Sequence, residues 1–102
     1  MSKYVFTNKA VEDLTEIWNY TCDKWSENQA DKYYHSNIHS CEFISENPDL
    51  GRQYDFAINV LGYPLNKHII FYRTRRGEKI EITRILHERM EIEQKIKKNN
   101  PA

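Results

Sequence analysis

With 102 residues and 15 basic side chains set against 15 acidic ones, the chain is sized for one compact domain. It also lacks the strong positive charge expected of an enzyme that works inside ribosomal RNA. Aromatic residues reach 13%, which argues for a packed core and against a disordered segment. No apolar run approaches the length of a membrane span, and the start Met-Ser-Lys-Tyr-Val-Phe lacks a signal peptide's apolar stretch and cleavage site. Cytoplasmic residence is therefore expected, with no membrane partner.

Residues 3–6 are rich in β formers and read as a strand. Thr7 falls where an N-cap belongs, and Ala10, Leu14, Ile17, Trp18, Cys22 and Trp25 then recur at three- and four-residue steps. That spacing predicts a helix of about four turns with one apolar stripe. Ser26 followed by Gln29 fits a capping box and starts a second helix. Its predicted stripe is Ala30, Tyr33, Tyr34, Ile38, Cys41 and Ile44, and Asn47-Pro48 stops it. The two helices should form a tight antiparallel hairpin. Cys22 and Cys41 then lie too far apart along the hairpin for a disulfide and are expected to be free thiols.

Residues 48–57 read as a connecting loop. Strands follow near 58–65, 68–74 and 79–86, with turns at Asn66-Lys67 and at Arg75-Arg76-Gly77. Pro64 marks the first of these as an edge or irregular strand. Phe71 and Tyr72 must point to opposite faces, so one is expected in the core and the other nearer the surface. From His87 to Lys98, the Glu91/Lys95 and Glu93/Lys97 pairs have helical spacing, and Ile92 and Ile96 give a thin apolar edge. A short C-terminal helix or loose tail over 89–102 is expected.

The resulting class is α+β, in the order β-α-α-β-β-β, a single domain over 1–102. The helical hairpin lies on one face of a small, mainly antiparallel sheet whose other face is left open. Charge is uneven along this order. Residues 1–50 carry four basic against nine acidic side chains, a net of −5, and residues 51–102 carry eleven against six, a net of +5. A basic surface on the C-terminal half, facing an acidic partner, is one reading; two solvated faces of opposite sign is the other.

Three stretches together resemble a known family. The first is Ala10-x-x-Asp13-Leu14-x-x-Ile17-Trp18-x-Tyr20, followed by Trp25 and Gln29-Ala30. The second is Asn47-Pro48-x-Leu50-Gly51-Arg52. The third is His68-x-Ile70-Phe71-Tyr72-Arg73, then Ile82-x-Arg84-Ile85-Leu86-His87-x-Arg89-Met90. In this order, over nearly the whole chain, they resemble the ParE branch of the RelE/ParE toxins. The resemblance implies the same fold, a ParD-like antitoxin whose unstructured segment wraps the toxin's groove and edge, and DNA gyrase as the poisoned target. The chain departs from the family pattern at Ser26 (usually Gly), Pro64 (usually Arg) and Glu91 (usually Asp). Loss of a basic side chain at position 64 keeps open a toxin-like domain that only binds its antitoxin.

The sister branch of the superfamily resembles ribosome-dependent mRNA endonucleases. Metal-free RNA cleavage needs a base, an acid and cations around the phosphate, and His87, Arg84, Arg73 and Tyr72 would have to converge to supply them. The expectation is nevertheless a non-enzymatic protein without a cofactor and without sequence-specific nucleic-acid binding. Contacts with target or antitoxin are expected at Tyr63, Arg73, Arg84, His87, Arg89 and Met90, with Arg89 to Lys98 the segment meeting the target. Asp13, Trp18 and Trp25 are expected to be structural, and Arg84 has an alternative role as the partner of Asp13. His35 and His39 lie one turn apart on the second helix, but no third ligand is spaced with them, so no metal site is expected. His68 reads as a satisfied edge residue.

Overall fold

The computed structural model describes residues 4–55, 57–74 and 79–87. The elements are β1 (Tyr4–Phe6), α1 (Asn8–Lys24), α2 (Glu27–Glu46), a 3-10 turn (Pro48–Leu50), β2 (Arg52–Tyr54), β3 (Ala57–Leu65), β4 (His68–Thr74) and β5 (Ile80–His87). The strands form one sheet in the order β1-β5-β4-β3-β2. All neighbours are antiparallel except β1 and β5. The α+β arrangement is the expected one, with one strand more than the sequence suggested. Arg52–Tyr54 is too short and polar to show a strand period, and it exists because β3 offers it a ladder. The turn at 75–77 and the C-terminal helix or tail over 89–102 lie outside the described residues.

Local chemistry sets the helix ends. The Thr7 hydroxyl accepts from Ala10 N at 3.1 Å, capping α1, and donates to Thr83 O at 2.8 Å. One side chain therefore starts the helix and pins it to β5. Ser26 Oγ accepts from Gln29 N at 3.1 Å. The N–H groups of Trp25 and Ser26 both reach Thr21 O, so two residues suffice to reverse the chain.

Against the sheet, the hairpin buries Ala10 and Leu14 of α1 and Cys41 and Ile44 of α2 over Ile70, Tyr72, Ile80, Ile82 and Ile85. The buried arc of α2 keeps Ala30, Cys41 and Ile44 of the predicted apolar stripe. It also takes in Asn37 and Ser40, while Tyr34 is 42% exposed. At about 100° per residue the arc centres on Asn37, with Tyr34 and Ile38 at its margin. Cys22 and Cys41 are free, as expected. Burial pushes the Cys41 thiol up to about 12, which keeps it protonated and inert.

The opposite face of the sheet is not open at its centre. Ala57, Ile69, Phe71 and Leu86 form a second buried cluster there, joined by Tyr54 and Val60. Phe71 and Tyr72 are accordingly both fully buried, which corrects the expectation that only one of them would be. The unbroken apolar run Ile69-Ile70-Phe71-Tyr72 is what a strand covered on both faces requires.

Pro64 lies in an interior strand, yet β2 pairs only with Ala57, Leu61 and Gly62. Past Gly62, β3 has β4 on one side alone, so the N–H that proline lacks had no ladder partner to lose. The irregularity the sequence signalled falls at Asn59, whose φ is 65°, where the β2–β3 register shifts. Asn66 also takes a positive φ, 56°, at the β3–β4 turn, a conformation asparagine tolerates better than most residues.

Candidate functional site

The β1–β5 ladder ends at Phe6↔Ile82, and α1 takes over its role on that edge. Asp13 Oδ2 accepts from Arg84 Nε at 2.8 Å and from Ile85 N at 3.0 Å, while Oδ1 accepts from Arg84 Nη2 at 3.0 Å. Asp13 is 6% exposed. The carboxylate thus satisfies a strand N–H and makes a two-pronged guanidinium pair at once. Bonding to Asp13 holds the Arg84 guanidinium above its ordinary range against an opposing desolvation. Arg84 Nη1 is buried without a hydrogen-bond partner.

Tyr72 has a comparable structural commitment on the next strand. Its hydroxyl donates to Pro48 O at 2.7 Å and accepts from Gly51 N at 2.8 Å. It is a strut that holds the 3-10 turn against the sheet, and burial raises its pKa. The fit at Gly51 is tight, since a Cβ there would lie 2.5 Å from that hydroxyl oxygen.

The two ends of the β4–β5 ladder carry different chemistry. At one end Arg73 faces Glu81 in register and binds its Oε1 through Nε and Nη2, each at 2.7 Å. At the other, His68 faces His87, with ring centroids 5.1 Å apart and nearly perpendicular planes. His68 Nδ1 is hydrogen-bonded to the Tyr33 hydroxyl of α2. Burial first, then the neighbouring His87, pushes His68 down to about 4, with Asp13 opposing. Burial also pushes Tyr33 up to about 12. The link from α2 to β4 is therefore made between two uncharged groups.

The ribonuclease constellation does not assemble. Arg73 is five residue steps from His68 along β4, so the Arg73 and His87 ends lie roughly 16 Å apart at about 3.3 Å per residue. Arg84 is occupied by Asp13 and Tyr72 by the 3-10 turn. Of the other expected contact residues, Tyr63 is half-buried against the helix-side cluster, because it shares a face of β3 with Leu61 and Leu65. Arg89 and Met90 lie outside the described residues. Trp18 is half-buried and its Nε1 donates to Asp31 at 3.4 Å, bridging the helices. Trp25, expected to be structural, is instead 75% exposed; it follows the last turn of α1, where only its backbone N–H is used. Sequence reasoning missed the Tyr33–His68 link and the Thr7–Thr83 bond. Tyr33 fell on the predicted stripe, but nothing in the spacing paired it with β4.

Most of the chain finds relatives. A family model described as the ParE toxin of the type II toxin-antitoxin system, parDE, matches residues 4–92. Proteins named Toxin ParE1 from two strains of Mycobacterium tuberculosis are 30% identical over 96 residues, covering 93% of this chain and 98% of theirs. A Toxin ParE1 from Caulobacter vibrioides is 34% identical over 93 residues, covering 88% of this chain and 93% of its own. Among solved structures, a chain of the chromosomal ParDE TA system from P. aeruginosa shares the fold with a TM-score of 0.73 at 22% identity. That match covers 85% of this chain and 96% of the other. On the family model over residues 4–92 and relatives 30–34% identical across most of its length, the chain belongs to the ParE family of type II toxin–antitoxin toxins.

Proposed function

We propose that this toxin acts without catalysis, by binding DNA gyrase and trapping it on cleaved DNA, and that a ParD-like antitoxin neutralises it in the cytoplasm. The observation that carries the non-catalytic part is the dispersal of the candidate acid–base set named from the sequence. Tyr72 and Arg84 serve the fold, and Arg73 and His87 lie at opposite ends of the ladder. Family membership supports the toxin role, and the solved neighbour is described as a ParDE system, which supports an antitoxin partner. Arg73, His87, Arg89 and Met90 are the residues offered for contact with target or antitoxin, on the basic half of the chain.

The test is titration of the toxin into gyrase with supercoiled plasmid and ATP, scoring linear DNA after protein is removed. Dose-dependent linear product, suppressed by the cognate antitoxin, is expected. Intact supercoiled or relaxed plasmid at every dose would overturn the gyrase assignment.

A further inference from the structure

One solvent face of α2 is polar along its whole length, with Asp31 near its start bridging to Trp18 of α1. At about 100° per residue, Asp31, His35, His39, Glu42 and Glu46 fall within an arc of about 80°, and all five are exposed. The arc is opposite the buried face of Ala30, Asn37, Cys41 and Ile44.

Within it, His35 and His39 are one turn apart. Residues four apart on a helix have Cβ atoms about 5–6 Å from each other, which lets two imidazoles close on one ion at nitrogen–metal distances of about 2.0–2.1 Å. Neither ring is committed elsewhere. His39 has no hydrogen bond, ion pair or ring contact among the described residues, and His35 has only an edge contact with the Tyr34 ring, at 5.8 Å between centroids. His68, by contrast, is already held by Tyr33. Three carboxylates flank the pair on the same face. Of these, Asp31 is engaged by Trp18 Nε1, and the neighbouring cation is Lys32, on the turn before His35.

We propose that His35 and His39 form a bidentate site on α2 for a divalent transition-metal ion of the class imidazole favours: Cu2+, Ni2+ or Zn2+. No three potential ligands stand together among the described residues, so the chain supplies two nitrogens and water completes the shell. Because the two rings meet only while residues 35–39 are helical, the ion binds the folded chain preferentially and stabilises it. The site shares no residue with the Asp13–Arg84 clamp, the Tyr72 strut or the Arg73 and His87 ends of the sheet.

The experiment is calorimetric titration of the untagged full chain with Ni2+ at pH 8, with thermal unfolding followed in parallel. One ion per chain and a rise in melting temperature are expected. His35→Asn and His39→Asn should each weaken binding by at least roughly tenfold, since each removes the chelate advantage, and each should abolish the thermal shift. His87→Asn should change neither. Both key substitutions are on the exposed face, and circular dichroism without metal checks that α2 is intact. Absence of saturable binding, binding unchanged in both variants, or sensitivity to only one of the two histidines would each overturn the site.

Discussion

Removing Asp13 tests the physical account of the clamp most directly. Its carboxylate receives three hydrogen bonds, two from the Arg84 guanidinium and one from Ile85 N, at 2.8–3.0 Å in a site where it is 6% exposed. Asp13→Ala strands a guanidinium whose Nη1 already lacks a partner and frees a buried strand N–H. Breaking a buried pair from one side costs about 3–5 kcal/mol, against a total stability of about 5–15 kcal/mol for a domain. Arg84→Met leaves the carboxylate with Ile85 N alone and should cost about 2–4 kcal/mol by the same reasoning. The double variant Asp13→Ala, Arg84→Met removes both charges and should recover part of the loss, because neither charge is left buried without its partner. Urea unfolding of the four proteins gives the coupling energy, expected at about 2–3 kcal/mol. A cost below about 1 kcal/mol for Asp13→Ala, or a coupling near zero, would mean that the pair is a solvated contact and that the helix is held to β5 by apolar packing alone.

Four further outcomes follow from the same structure. Tyr72→Phe should cost about 1–3 kcal/mol in chemical denaturation, because Gly51 N and Pro48 O both lose their partner. Gly51→Ala should destabilise by a similar amount, about 1–3 kcal/mol from overpacking, since its Cβ would meet the Tyr72 hydroxyl at 2.5 Å and Leu61 Cβ at 2.8 Å. For His68 the folded pKa, about 4, lies below the ordinary value of 6.5, so the neutral ring stabilises the fold above about pH 6.5 and that contribution is lost as pH falls toward 4. Full linkage would be about 3 kcal/mol, and the ring's partial exposure to solvent brings the expectation to about 1–2 kcal/mol. Melting temperature measured between pH 7 and pH 4 should therefore fall more steeply for the native chain than for His68→Gln. In the gyrase assay, His87→Ala should weaken linear-product formation by no more than about tenfold, the loss of a single contact, whereas it would abolish a ribonuclease that used His87 as its acid or base.

The helices and central strands were legible because their signals are local: Thr7 and Ser26 as caps, Asn47-Pro48 as a stop, Asn66-Lys67 as a turn. The features that escaped depend on contacts between distant parts of the chain. Arg52–Tyr54 becomes a strand only beside β3. The buried face of α2 is rotated by only about 30° from the predicted stripe: Ala30, Cys41 and Ile44 are shared, and the shift toward Asn37 has no apolar signal, because its Nδ2 is satisfied by Tyr33 O at 3.0 Å. Trp25 continued the three-and-four spacing of α1 on paper, yet it lies past the last turn and faces water. The sheet's second face was expected to be open, yet Ala57 of β3, Ile69 and Phe71 of β4 and Leu86 of β5 meet there from separate strands and build a buried cluster that no single strand's pattern displays.

These placements constrain how a partner can hold the toxin. An extended segment that added a strand would need unpaired N–H and C=O groups along a sheet edge. The outermost strands, β1 and β2, are three residues each. Beyond β1, the edge of β5 is already occupied, with Thr83 O bonded by the Thr7 hydroxyl and Ile85 N by Asp13. Beyond β2, the edge of β3 is interrupted at Pro64, which has no N–H to give. Among the described residues these edges offer no long run of main-chain pairing, so side chains are expected to carry much of the affinity. A partner that exploits the +5 half of the sequence should then bind with strong salt dependence, because exposed charges are screened beyond about 8–10 Å at physiological ionic strength. A partner added mainly as a strand would bind almost independently of salt, so the salt dependence of toxin–antitoxin affinity separates the two modes.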